Sequence, residues 1–372
     1  MLKLVTCVFL FSALAQSAFA SVEIKGFGTA GLIKSDAASY YLQEFDTYGS
    51  RVRMDADSLI GLNLSSNLSA GWTVATQLIV NHGVNGYTPR LDWGFVSYQP
   101  MPEIALRAGR FSLATWLFSQ QIHVGYSYLW VRPPVEVYTL IGGFSNFDGM
   151  SALSNLSLFG GTLSAELYGG AEDNKSYVNN PANPTTTDIR MEDLAGVDLS
   201  YSYKDLWTLH ASYLQSHPGV KIYSSALISN PVYGTVIVPM DLHFGRFFSM
   251  GGKLDYSNVL FITEFARRLI DGQALQSASA WYATLGYRIS KFTPYLSYAW
   301  QGSLRGTFYT HPLSPAVTTM KINQYSYTAG LNYQAHDSVV LKAEWQPAYY
   351  KYLDSSYDFR VNMVSASANF IF

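Results

Sequence analysis

Cysteine is all but missing from this chain: of 372 residues the only one is Cys7. A disulfide framework and the cysteine-rich metal motifs are therefore excluded. Charge is scarce as well, since Asp, Glu, Lys and Arg make up 13% of the sequence, about half the ~25% usual in a soluble domain. What charge there is nearly cancels, 24 basic residues against 26 acidic, and such a balance offers no basic surface to nucleic acid. The histidines, among them His82, His217, His243 and His311, are scattered and show no metal-ligand spacing. Long apolar runs are lacking too. Past residue 20, no stretch approaches the ~18–20 consecutive apolar residues of a membrane-crossing helix.

What the chain has instead is aromatic and two-faced. Aromatic residues make up 15% of it, with 28 Tyr and 8 Trp. The last twelve residues, VNMVSASANFIF, put Asn362, Val364, Ala366, Ala368, Phe370 and Phe372 on one side and Ser365, Ser367 and Asn369 on the other. That is the period of a strand with one oily face, and a barrel needs such a final strand to close against its first. At the other end, Lys3, the apolar run 4–14 and Ala18-Phe19-Ala20 form the three parts of a secretory signal peptide. Cleavage is expected after Ala20, leaving a cysteine-free domain of residues 21–372; the run is too short to anchor in a bilayer.

Two-faced segments recur along the whole chain. They fall at 22–33, 51–64, 72–80, 90–99, 103–111, 149–158, 163–171 and 194–203, then at 207–216, 244–256, 259–268, 280–289, 292–300, 324–333, 339–346 and 361–372. In 51–64 the even positions from Val52 to Leu64 are mostly apolar, whereas the odd ones include Arg51, Arg53, Asp55, Asp57 and Asn63. Sixteen strands suit a single-chain barrel whose oily face meets lipid and whose wet face meets water. The connections alternate short and long, the longest being 112–148, and this ordering is expected of short periplasmic turns and long external loops. A soluble sandwich has no reason to sort its loops so regularly. The predicted fold is all-β: a 16-stranded antiparallel transmembrane β-barrel.

Signal peptide, strand count, loop alternation and terminal Phe372 together resemble the general porins of Gram-negative outer membranes, over all of 21–372. The resemblance implies that the long third external loop, 112–148, folds into the lumen. Its Trp116, Trp130, Pro133, Pro134, Phe144 and Phe147 fit that placement, since each large apolar side chain gains ~1.5–3 kcal/mol on burial. The resemblance also implies acidic residues on the loop opposite a basic cluster on the wall. Side-chain parity offers Arg51, Arg53, Arg90 and Arg107 for the wall, with Asp92 and Glu103 sharing the last two faces, and the loop offers Glu136 and Asp148. A field across a narrow, low-dielectric opening would select among solutes. Arg110 changes sides if Gly109 carries a bulge. The loop departs from the enterobacterial Pro-Glu-Phe-Gly-Gly stretch, which Pro134-Val135-Glu136 and Gly142-Gly143 only approximate, and no arginine lies on the sixth strand.

Two motifs are set aside. Gly26-Phe27-Gly28-Thr29-Ala30-Gly31 fits a dinucleotide fingerprint but has no βαβ context, and small residues on a first strand account for it better. His210 and Ser212, with Asp198 across from them, could assemble a base, a hydroxyl and a carboxylate, yet their parity turns them toward the lumen. The expected function is passive diffusion of small hydrophilic solutes and ions, without cofactor or covalent chemistry. Its alternatives are a sugar- or anion-selective channel, or a surface receptor or adhesin on the same barrel. The resemblance further implies a homotrimer among outer-membrane lipids and lipopolysaccharide.

Overall fold

The computed structural model describes residues 21–36, 50–83, 86–141, 144–178, 185–224, 236–241, 244–271, 277–304, 321–352 and 355–372. The expected signal peptide, the aromatic residues Tyr40, Tyr41, Phe45 and Tyr48 that follow the first predicted strand, and Gly142-Gly143 lie outside them.

Alternation in the sequence becomes strands β1 (Val22–Ser35), β2 (Leu59–Asn67), β3 (Trp72–Gly83), β4 (Gly86–Met101), β5 (Ile104–Ser112), β6 (Asn146–Leu158), β7 (Gly161–Val178), β8 (Thr185–Tyr203) and β9 (Trp207–Ser224). The second half holds β10 (Val236–Asp241), β11 (Phe244–Tyr256), β12 (Val259–Asp271), β13 (Ala278–Tyr287), β14 (Phe292–Ser303), β15 (Lys321–His336), β16 (Val339–Tyr352) and β17 (Phe359–Ile371). The short β10 pairs with the far end of β9, from Gly219 to Ser224, while β11 pairs with the near part of β9. Sixteen antiparallel strands thus form the wall, and β10 is an appendage to it. The wall closes because β1 pairs with β2 on one edge and with β17 on the other, from Phe27↔Ile371 to Ser35↔Met363.

The seam explains the glycines of the N-terminal motif. A Cβ on Gly26 would stand 2.0 Å from the Phe372 ring, and one on Gly28 would stand 2.4 Å from the Phe370 ring. The two terminal aromatics lie where a side chain on β1 would otherwise be, a recognised use of glycine beside an aromatic cross-strand neighbour.

Ile60, Leu78, Leu106, Leu296 and Trp345 are exposed on one face of the wall. The opposite face carries Ser212, Ser249, Thr284, Ser326, Ser365 and Asn369, all buried. Burial there is supplied by the segment between β5 and β6, which packs Trp116, Phe118, Trp130, Val137 and Leu140 into one cluster with Phe247, Ile262 and Tyr282 of the wall. In a closed sheet the face that receives this segment is the inner one.

Three boundaries differ from the sequence expectation. Residues 51–58 are not strand: Arg53 makes one isolated bridge with Ile33, after which Ser58 Oγ donates to the Met54 carbonyl and accepts from Gly31 N. Such side-chain bonds compete with a ladder, so Arg51 and Arg53 do not stand on the second strand. The sixth strand begins at Asn146, three residues early, because Asn146 to Asp148 pair with Ser112 to Arg110; Asp148 is therefore a strand residue. The hairpin of β7 and β8, and β9 beside it, run well past the expected ends at 171, 194 and 216. Their outer parts continue the ladder from Asp173↔Arg190 to Val178↔Thr185, where no bilayer constrains the pattern.

Candidate functional site

The enclosed face divides into two territories. On β2, β3 and β4 the inward positions toward the short-turn end are Asn63, Ser65, Thr73, Ser97 and Gln99, and on β6 to β9 they include Asn155, Ser164, Ser200, Ser202 and Thr208. These are neutral hydroxyl and amide side chains. The rest of the wall is covered. Thr115 O accepts from Ser212 Oγ at 3.1 Å and Ser249 Oγ at 2.5 Å. Trp130 Nε1 donates to Thr284 Oγ1 at 3.1 Å. Tyr126 Oη donates to Asp337 O at 2.5 Å in the turn between β15 and β16, and accepts from Gln334 Nε2 at 2.9 Å. The covering segment leaves the wall at the long-loop end and reaches a turn at the other, so it spans the barrel's height. Burial pushes the hydroxyls of Tyr128 and Tyr138 in this segment well above the usual tyrosine range.

Three of the four arginines predicted for the wall, Arg53, Arg90 and Arg107, lie beside a carboxylate. Arg107, on β5, donates to Glu166 of β7 and, at 3.0 Å, to Ser151 Oγ, and its guanidinium lies 5.2 Å and 5.4 Å from the Phe95 and Phe111 ring centroids. Arg90 is 3.8 Å from Asp92 with 44% of its side chain exposed, which makes it the more accessible of the two. Arg53 binds Asp55 through two bonds, at 2.9 and 2.6 Å; this pairing holds the Asp55 carboxyl below the usual range. Arg51 is exposed beside it. Gly109 sits at φ +144°, and Arg110 beyond it binds Asp148 at 2.9 Å. Asp148 shares the outward face with Met150 and is 64% exposed. Glu136 is fully buried in the single helical turn Val135–Tyr138, which packs against β13 and β14. The structure thus brings neither Glu136 nor Asp148 across an opening from Arg107.

Several residues carry more of the site than sequence reasoning gave them. Arg132 of the segment binds Asp57 at 2.6 Å and also Ser365, so the stretch before β2 is tied to β17 through the segment. His210 Nε2 meets Asp198 Oδ2 at 2.6 Å, while Ser212 also bonds Ser249 Oγ at 2.9 Å. The inward charges Glu264, Lys342 and Glu344 are buried under the segment. Their inward parity was visible in the alternation of 259–268 and 339–346; what would cover them was not.

A closed wall of sixteen antiparallel strands with an oily outside, a polar inside and one long connection laid within it has the plan of an outer-membrane channel. A family model described as Gram-negative porin matches residues 5–354. The chain belongs to that family. No curated protein matched it by sequence. Among solved structures, this porin is similar to the outer membrane channel DcaP of Acinetobacter baumannii, with 14% identity, a TM-score of 0.61 and coverage of 95% of this chain and 97% of that one. It is also similar to OmpT of Vibrio cholerae in its trimer form, with 11% identity, a TM-score of 0.58 and coverage of 95% and 99%. An anion-selective porin from Comamonas acidovorans aligns at 12% identity and a TM-score of 0.56, over 95% of this chain and all of that one. At such identities the likeness is one of fold, and with the family match it makes the protein an outer-membrane channel.

Proposed function

We propose that this porin is a passive diffusion channel for small hydrophilic solutes and ions, narrowed by residues 113–145. The observation that carries the proposal is the division of the inner face: one half is occupied by the segment, and the other presents Ser, Thr, Asn and Gln together with Arg90 and Arg107 beside carboxylates. Such a lining replaces part of a solute's hydration without binding it tightly, which passage requires. Arg90 and Arg107, with Asp92 and Glu166 beside them, set the field along the opening. Arg51 and Arg53 act at the external entrance, and Glu136 and Asp148 add charge from the segment and from the rim. Because Arg53, Arg90 and Arg107 each lie beside a carboxylate, ion preference is weak. Ser212 donates its hydroxyl to Thr115 O, so this hydroxyl holds the segment, and His210 is paired with Asp198; on this reading the three are not a catalytic group.

On the same reading, residues 1–20 are a cleaved signal peptide, the mature chain lies among outer-membrane lipids and lipopolysaccharide, and three copies assemble, as in the Vibrio cholerae neighbour described as a trimer. Planar-bilayer recording of the refolded mature chain tests the channel directly. Stepwise conductance proportional to salt and indifferent to individual sugars is expected. A membrane that stays silent would remove the proposal, and saturable block by one solute would replace general diffusion with selectivity.

A further inference from the structure

The described residues of 113–145 hold little regular structure beyond the turns Ser119–Gln121, Gly125–Ser127 and Val135–Tyr138, so their buried backbone groups must find partners elsewhere. The wall supplies charged side chains matched to each polarity. On β16, Lys342 Nζ donates to the carbonyls of Gly125, Tyr128 and Trp130, the last two at 2.6 Å, and lies 4.5 Å from the Tyr128 ring centroid. Two residues further, Glu344 accepts Val131 N at 2.7 Å and the Tyr295 hydroxyl. On β12, Glu264 accepts Leu117 N at 2.7 Å, the Tyr138 hydroxyl at 3.0 Å and the Tyr282 hydroxyl at 3.2 Å. An ammonium has three protons and no acceptor capacity. The segment's carbonyls therefore use all of Lys342's hydrogen-bonding capacity and leave none for a passing anion.

We propose that Lys342, Glu344 and Glu264 are the positioning residues of this channel: they fix how far the segment projects from the wall, and so the bore, without touching a solute. The inference rests on the reading that the segment narrows the channel. Donors meet carboxylates and carbonyls meet the ammonium at two separated anchors, β12 and β16, with 117–138 strung between them. Loss of either anchor lets the segment move off the wall while the ladder of sixteen strands keeps the barrel closed.

The test is single-channel conductance and the sugar exclusion limit of the full mature barrel carrying Lys342→Met, with folding checked by resistance of the barrel to detergent at room temperature. Conductance should change by at least about twofold, with added open-channel noise, because current follows the narrowest cross-section. A covalent lock separates position from mere folding. A Cβ on Gly125 would stand 3.1 Å from Asn369 Cγ, so Gly125→Cys with Asn369→Cys can form a disulfide in a mature chain whose one native cysteine, Cys7, is expected to be removed. Oxidised, the lock should return Lys342→Met to wild-type conductance; reduced, it should not. Should Lys342→Met fail to assemble, Glu264→Ala reads the same quantities at the other anchor. Folded barrels with wild-type conductance and exclusion limit overturn the assignment. A wild-type channel that already passes long oligosaccharides counts instead against the narrowing itself.

Discussion

The two halves of the inner wall solve opposite problems with the same strand geometry. From β11 to β17 the inward positions hold buried ionisable groups, Glu264, Lys342 and Glu344, and a stacked layer of apolar segment residues over them. From β2 to β8 the inward positions carry neutral side chains together with charges paired within the wall, Arg90 with Asp92, Arg107 with Glu166 and Asp198 with His210 of β9. A buried charge is tolerated only where it is hydrogen-bonded on all sides, and the segment's irregular backbone provides those bonds. A water-lined wall needs no such partner, so it can be built from Ser and Asn. Inward charge under the segment is bonded to the segment itself, whereas inward charge on the open half is paired within the wall.

The most damaging way to break that division is to remove the covering layer. Replacing 116–140 with a short Gly-Ser link should raise single-channel conductance several-fold, roughly threefold or more, as the cross-section opens; an unchanged trace would show that current never passed beside the segment. Trp130→Ala is a milder cut. It removes a fully buried indole and its bond to Thr284, a loss of about 3–5 kcal/mol, and should make the segment cleavable by protease in the folded barrel while the wall stays resistant. On the other half, Arg107→Glu puts a second carboxylate against Glu166 and should move the reversal potential in a salt gradient toward cations. Arg53→Glu, further out, should move it less. Equal shifts would mean that the opening is not on the Arg107 side.

The smallest expected effect is one of pH. Tyr128 and Tyr138 are held neutral by burial, with their hydroxyls raised above the ordinary value. In a displaced, hydrated segment they would ionise near pH ~10, so the seated form loses stability only as pH rises past that value. Open-channel noise should be flat from pH 6 to about 9 and grow above about 10. Noise that grows on acidification instead would point to the carboxylate anchors.

The wall was legible because the bilayer writes it into the chain. Ile60, Leu62 and Leu64 or Val364, Ala366 and Ala368 alternate with polar residues over the length that crosses lipid, and periodicity finds all sixteen strands. It failed wherever lipid stops dictating. Residues 173–178 and 185–190 are ladder in water, and β10 adds a strand to what reads as loop. Residues 51–58 carry alternation with no strand, because Arg53 and Asp55 satisfy one another across two positions. The site was legible in part. Parity put Arg90 and Arg107 inside and turned His210 and Ser212 inward, but it could not say that Glu136 would be buried against β13 and β14, or that Asp148 would face outward opposite Arg110. Those outcomes depend on the path of an irregular segment, whose partners are far away in sequence: Lys342 lies 212 to 217 residues from the carbonyls it serves.

The glycines at the seam have a consequence for how the cylinder comes into being. Phe370 and Phe372 need a bare Cα beneath each ring, and the first strand offers two, Gly28 and Gly26, spaced to match. Shift the joining edge by two residues in one direction and Phe370 meets the methyl of Ala30; shift it the other way and one ring loses its seat. The paired aromatics act as a vernier that reads true at one alignment, so the β1–β17 seam fits at a single register of the closed ring.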